Sequence, residues 1–151
     1  MNVLGIDPGS STGLAVVSLE SGSVHYAKTV SAKNIDDVLN EITRLVEFWA
    51  EIVVLGVVVQ TPIFQTGKTP RWNPSPVSLA KNAATSHEII GFLKGLSLRY
   101  PLDIQIRQPT RGSGMKMDAE MFAKVYGYTG RTSEHARDAA NLAMSWRKDG
   151  G

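Results

Sequence analysis

The 151-residue chain contains no cysteine. That excludes disulfide staples and every thiolate metal site, so any metal would have to be held by oxygen or imidazole ligands. No run approaches the 18 or so consecutive apolar residues of a membrane span, and the start, Met1-Asn2 followed directly by an apolar run, lacks the pattern of a secretory signal. These absences lead us to expect an intracellular, cytoplasmic protein with no membrane partner. Aromatic residues make up only 7% of the chain, against 42% hydrophobic and 20% charged, which is ordinary for a globular protein. At this length one domain spanning residues 1–151 is expected, large enough to bury a core without staples. No internal repeat or low-complexity segment is present.

Charge is unevenly distributed. Residues 1–60 carry three basic and seven acidic side chains, a balance of −4, whereas residues 61–151 carry thirteen basic and seven acidic, a balance of +6. A basic second half suits a polyanionic partner, because phosphate neutralisation drives nucleic-acid binding. The plain alternative is that these lysines and arginines only solubilise the surface.

The opening stretch, Val3 to Val17, holds two apolar runs around a turn with a single acid. Asp7 closes the first run, Pro8-Gly9 bends the backbone, and Thr12-Gly13 starts the second. A carboxylate held at a strand end by rigid neighbours suits a divalent metal or a metal–phosphate complex. A hairpin with an ordinary turn Asp would look the same from these residues alone.

Residues 2–7, 13–19 and 23–30 read as three consecutive antiparallel strands, the last two joined by a tight turn at Glu20-Ser21-Gly22. Asn34 is a helix cap, and Ile35, Val38, Leu39, Ile42, Leu45, Val46 and Trp49 recur at helical spacing, which predicts a helix over 35–51. The run 52–59 is apolar and mostly β-branched, as expected of a parallel strand buried on both faces. A long helix over about 77–99 contains Ala80, Ala83, Ala84, Gly91 and Gly95. Interior glycine costs about 1 kcal/mol each, so close packing is expected there, either on the sheet or against a second subunit. Residues 103–108 alternate as a last strand. Asp118 caps a short helix ended by Gly127, and Ser133 or Thr132 caps a helix from 134 to about 147. The expected architecture is α/β: a five-stranded mixed sheet, three antiparallel strands and then parallel ones, flanked by helices. His25 and His87 are read as structural.

Two loops carry the cations. Residues 60–77 interleave Phe64, Lys68, Arg71 and Trp72 with proline, a mixture able to stack on bases and contact phosphates, or to pack back on the domain. Thr110 to Lys116 is a basic, glycine-rich loop containing Arg111. Lys81, near the start of the long helix, joins them as a candidate DNA contact. In the last helix His135 and Asp138 stand three residues apart on one face, and Ala136, Ala139, Ala140 and Ala143 would let that end pack close to a sheet. If it crosses near the end of the first strand, Asp7, His135 and Asp138 converge as a ligand set for Mg²⁺ or Mn²⁺. An exposed i,i+3 His–Asp contact is the simpler reading of the same spacing.

The order of elements, with IDPGSSTG in the opening hairpin and SEHARDAANLA near the end, resembles the RuvC family of Holliday junction resolvases in the RNase H-like nuclease superfamily. The resemblance spans essentially the whole chain, whose small size resembles compact phage or thermophile-like members more than the longest bacterial ones. The opening turn is the less specific part, since sugar kinases and actin-like ATPases begin similarly; those need a second domain for the nucleotide, and no nucleotide cofactor is expected here. The resemblance implies an RNase H-like fold and a homodimer that binds four-way or other branched DNA. It implies symmetric nicks leaving 5′-phosphate and 3′-hydroxyl ends, with two Mg²⁺ per active site. Asp7, His135 and Asp138 match three of the family's four metal-binding and catalytic positions. At the fourth, where the family carries Glu, this chain has Gln60. Gln keeps the shape and one carbonyl oxygen but not the charge, so the expectation is a deliberately inactivated form that binds DNA without cutting it. The alternative is a non-catalytic junction-binding protein with Gln60 native. Phe64 matches an aromatic inserted at the junction centre, and Lys116 a basic residue near the scissile phosphate.

Overall fold

The computed structural model of the chain describes residues 1–61, 76–108 and 117–146, with residues 76–82 described by their backbone alone. Five strands form one mixed sheet: β1 (Asn2–Asp7), β2 (Ser11–Ser18), β3 (Ser23–Ser31), β4 (Leu55–Gln60) and β5 (Leu102–Arg107). Their spatial order is β3-β2-β1-β4-β5. The first three pair antiparallel as consecutive hairpins, and β4 and β5 add in parallel beyond β1. Gly22, at φ 66°, closes the β2–β3 turn in the left-handed region that glycine enters without steric cost. This is the RNase H-like arrangement the sequence led us to expect.

Among the described residues four helices accompany the sheet: α1 (Ile35–Trp49), α2 (Pro76–Leu96), α3 (Ala119–Tyr126) and α4 (Glu134–Met144). The starts of α1, α3 and α4 are chemically specified. Asn34 accepts from the Asp36 amide, Asp118 from the Met121 amide at 2.8 Å, and Ser133 from the Ala136 amide at 3.3 Å. Gly127, also at φ 66°, ends α3.

Because strand side chains alternate, the sheet has two apolar faces. Leu4, Ile6, Leu14, Val16, Val57 and Val59 pack under α1 and α2, meeting Val38, Ile42, Leu45, Val46, Ile89 and Leu93. Val3, Ala15, Val17 and Val58 face the other way, beneath the alanines of α4, Phe122 of α3 and Trp146.

Several expected boundaries move. Strand β4 begins at Leu55; Ile52, Val53 and Val54 precede it and are 90%, 68% and 51% exposed. A β-branched run cannot report where its neighbours on the sheet begin, and β5 offers Leu55 its first partner, Leu102. β2 starts at Ser11, two residues early, because it pairs with β3 as far as Ser31. Helices α1, α2 and α4 stop at Trp49, Leu96 and Met144, short of the ends periodicity suggested. The glycines of α2 are not pressed on the sheet: a Cβ placed on Gly91 or Gly95 meets nothing within 4 Å.

Candidate active site

Close packing occurs elsewhere, under α4. A Cβ added to Gly13 would lie 2.0 Å from the carbonyl oxygen of His135, and one added to Gly5 would lie 2.0 Å from that of Ala139. At Gly56 it would press on the Trp146 ring at 3.1 Å. Gly13, Gly5 and Gly56 belong to β2, β1 and β4, so the three glycines form a diagonal seat across the middle of the sheet. Into it α4 presents Ala136, Ala139, Ala140 and Ala143, all fully buried. Glycine below and alanine above bring the helix backbone against the strands at a distance no larger pair permits.

This seat assembles the site. Asp7, the last residue of β1, has Gly13 as its partner on β2, and the missing side chain at Gly13 admits the first turn of α4 beside the carboxylate. His135 Nδ1 stands 3.9 Å from Asp7 Oδ2, beyond hydrogen-bond length but within electrostatic reach. The turn before β2 is pinned as well: the Thr12 hydroxyl, fully buried, donates to the Gly9 carbonyl at 3.2 Å, and the Ala32 amide donates to the Ser10 carbonyl at 2.9 Å.

The electrostatics favour a positive guest. Asp7 is raised to a pKa of about 6, first by burial and then by the negative charge of Asp138, with Glu134 adding a little; His135 pulls the other way. Asp138 is thus close enough for its charge to be felt at Asp7. The site is not a ready-made cage: among the described residues no group of three or more His, Cys, Asp or Glu side chains is placed to hold a metal ion. The donor chemistry, two carboxylates disfavouring each other's charge beside an imidazole, fits a hard divalent cation.

Gln60 ends β4. Ile6 pairs with Val59 in the parallel β1–β4 ladder, and alternation puts Gln60 on the α4 face at the same sheet edge as Asp7. Its partner on β5 is Arg107, whose guanidinium donates to Gln105 Oε1 at 2.7 Å and to Ser145 Oγ at 3.4 Å. Sequence reasoning missed Arg107 as a cation at the edge of the site, and it missed the glycine seat. The available signal for the seat was Gly5 two residues before Asp7, hence on its face, opposite a helix whose buried side is all alanine. Of the other expected contacts, Phe64, Lys68, Arg71, Trp72, Arg111 and Lys116 lie outside the described residues, as does the side chain of Lys81 on α2.

No protein-family model and no curated protein matches the sequence. Solved structures do match its fold. Thermus thermophilus RuvC in complex with a Holliday junction substrate superposes with a TM-score of 0.63 at 21% identity, over 95% of this chain and 90% of that one. A second Thermus thermophilus RuvC structure gives 0.57 at 21% identity, over 95% and 92%. Fowlpox virus resolvase, in complex with Holliday junction DNA, gives 0.53 at 13% identity, over 95% and 96%. The chain therefore has the RNase H-like fold on which these bacterial and viral Holliday junction resolvases are built.

Proposed function

We propose that residues 1–151 act as one nuclease domain that resolves four-way DNA junctions by metal-dependent nicking, and that Gln60 leaves its activity low. The observation that carries this reading is the approach of α4 to the end of β1, which sets His135 beside a partly buried Asp7 within reach of the Asp138 charge. Asp7 and Asp138 would hold Mg²⁺, with Mn²⁺ as a substitute and two ions per site on the family pattern. Bound there, the metal would polarise the scissile phosphodiester and help ionise the attacking water.

The chain's own residues then have distinct tasks. Asp7 is kept rigid by the pinned turn and the β1–β2 ladder. His135, half exposed, offers an imidazole that could ligate the metal or relay a proton. Gln60 presents an amide oxygen with no charge, which weakens the attraction for a cation just where two carboxylates already disfavour each other. The basic residues Lys68, Arg71, Lys81, Arg111 and Lys116, with Phe64 and Trp72, would engage the DNA arms. Pairing of two copies would allow two symmetric nicks, and the glycine-bearing side of α2, where no described atom lies within 4 Å of a Cβ on Gly91 or Gly95, would be one place for a second chain.

The deciding experiment is a gel assay on a synthetic junction and on linear duplex, with and without Mg²⁺, for the chain and its Gln60→Glu variant. Glu at 60 should raise Mg²⁺-dependent nicking of the junction by orders of magnitude. Equal cutting by both would refute the role given to position 60. A second reading, a non-catalytic junction-binding protein, is favoured by Gln60 and by the lack of a preformed three-ligand cluster among the described residues. It requires tight, salt-sensitive junction binding with no nicking by either form.

A further inference from the structure

A helix seated by alanine on glycine comes close to the sheet but is poorly keyed against rotation, because methyl groups and bare backbone offer few interlocking knobs. The consequence at the site is large. A roll of about 20° would carry side-chain atoms, 5–6 Å from the helix axis, by about 2 Å, enough to undo the 3.9 Å approach of His135 to Asp7. Something other than the buried face has to set the roll.

Arg137 lies on the flank of α4 opposite His135, about 200° away at 100° per residue. Its Nε donates to the Met117 carbonyl at 2.9 Å, and its Nη1 donates to the Thr132 carbonyl at 2.7 Å and the Thr132 hydroxyl at 3.1 Å. Met117 precedes the cap of α3 and Thr132 precedes the cap of α4, so one planar fork joins the segment leading into α3 to the start of α4. One turn further along the same flank, the Tyr126 hydroxyl donates to Asn141 Oδ1 at 2.6 Å and ties α4 to α3 again. We infer that Arg137 is a positioning residue: its guanidinium, seconded by Tyr126, locks the roll of α4 and so holds His135 and Asp138 toward Asp7. The catalytic consequence rests on the nuclease reading; the positioning itself does not.

The test separates the two. The imidazole carbon-bound proton signals of His135 are followed by NMR at one fixed pH in the unmodified chain, Arg137→Met, Arg137→Lys, and Val38→Ala as a control that loosens the opposite core layer. Arg137→Met should shift or broaden the His135 signals, and Arg137→Lys should restore them only in part, since an ammonium lacks the planar fork. Val38→Ala should leave them in place while lowering the melting temperature. In the Gln60→Glu background, Arg137→Met should cut nicking turnover about tenfold or more with the junction KM little changed. His135 signals unmoved by Arg137→Met, or moved as much by Val38→Ala, would overturn the inference. If Arg137→Met does not fold, Tyr126→Phe is read by the same criteria. If the Gln60→Glu chain never nicks, the nuclease reading falls and the His135 signals still decide the role of Arg137.

Discussion

Asp7 is an acid kept where its charge is least welcome. Burial and the neighbouring Asp138 raise its pKa from 3.8 to about 6, so between those values the folded chain binds more protons than the unfolded one and stability falls as pH rises. Above pH 6 the full penalty applies, roughly 1–3 kcal/mol for a shift of this size. Asp7→Asn should therefore raise the melting temperature of the metal-free protein at pH 7–8, with the advantage disappearing by about pH 4, as thermal melts across that range would show. A variant no more stable than the parent at pH 8 would mean that Asp7 is not in this environment. On the nuclease reading, a cation bound beside Asp7 would relieve this penalty, and the neutral amide of Gln60 would add no charge to attract it.

At the scale of elements, the contact of α4 with the sheet governs the site. Gly13→Ala and Gly5→Ala each put a methyl 2.0 Å from a backbone carbonyl oxygen, an obstacle that cannot rotate away as a side chain would. Overpacking typically costs about 1–3 kcal/mol, and here relief requires displacing the helix. Both variants should melt well below the parent, and Gly13→Ala, which meets the carbonyl of His135 itself, should also disturb the His135 NMR signals. Gly91→Ala in α2 is the contrasting case: it meets nothing within 4 Å and should be neutral or slightly stabilising, because alanine is the better helix former. The difference between these glycines was not legible in the sequence. A glycine in a helix and one in a strand both announce a possible close approach, and only the position of the neighbouring element tells which approach is used.

For the whole molecule, the −4 and +6 charge balances of the two parts of the chain suit a protein whose acidic centre is approached by a polyanion held elsewhere. Junction binding should then weaken at least roughly tenfold between about 50 and 200 mM salt, as counterion release demands, and a titration at several salt concentrations would measure it. Salt-independent binding would remove electrostatics as the basis of recognition. The apolar residues Ile52, Val53 and Val54, exposed at 90%, 68% and 51%, precede β4 and join neither core layer, so hydrophobicity alone misplaced the start of that strand.

The sequence by itself determined the order and type of the strands and helices and three of the four helix starts, because these depend on local chemistry. Alternation and helical periodicity write the elements, Asn34, Asp118 and Ser133 satisfy amides a few residues away, and the opening hairpin and the His135–Asp138 spacing are short-range patterns. Only the tertiary structure decided how α4 meets the sheet: which glycines receive it, that His135 stops 3.9 Å from Asp7, that Gln60 shares their face, and that Arg137 ties down the far flank. Those facts depend on contacts between separate elements, such as Asp7 of β1 with His135 of α4, and they follow from where whole elements come to rest against one another, which no local pattern encodes.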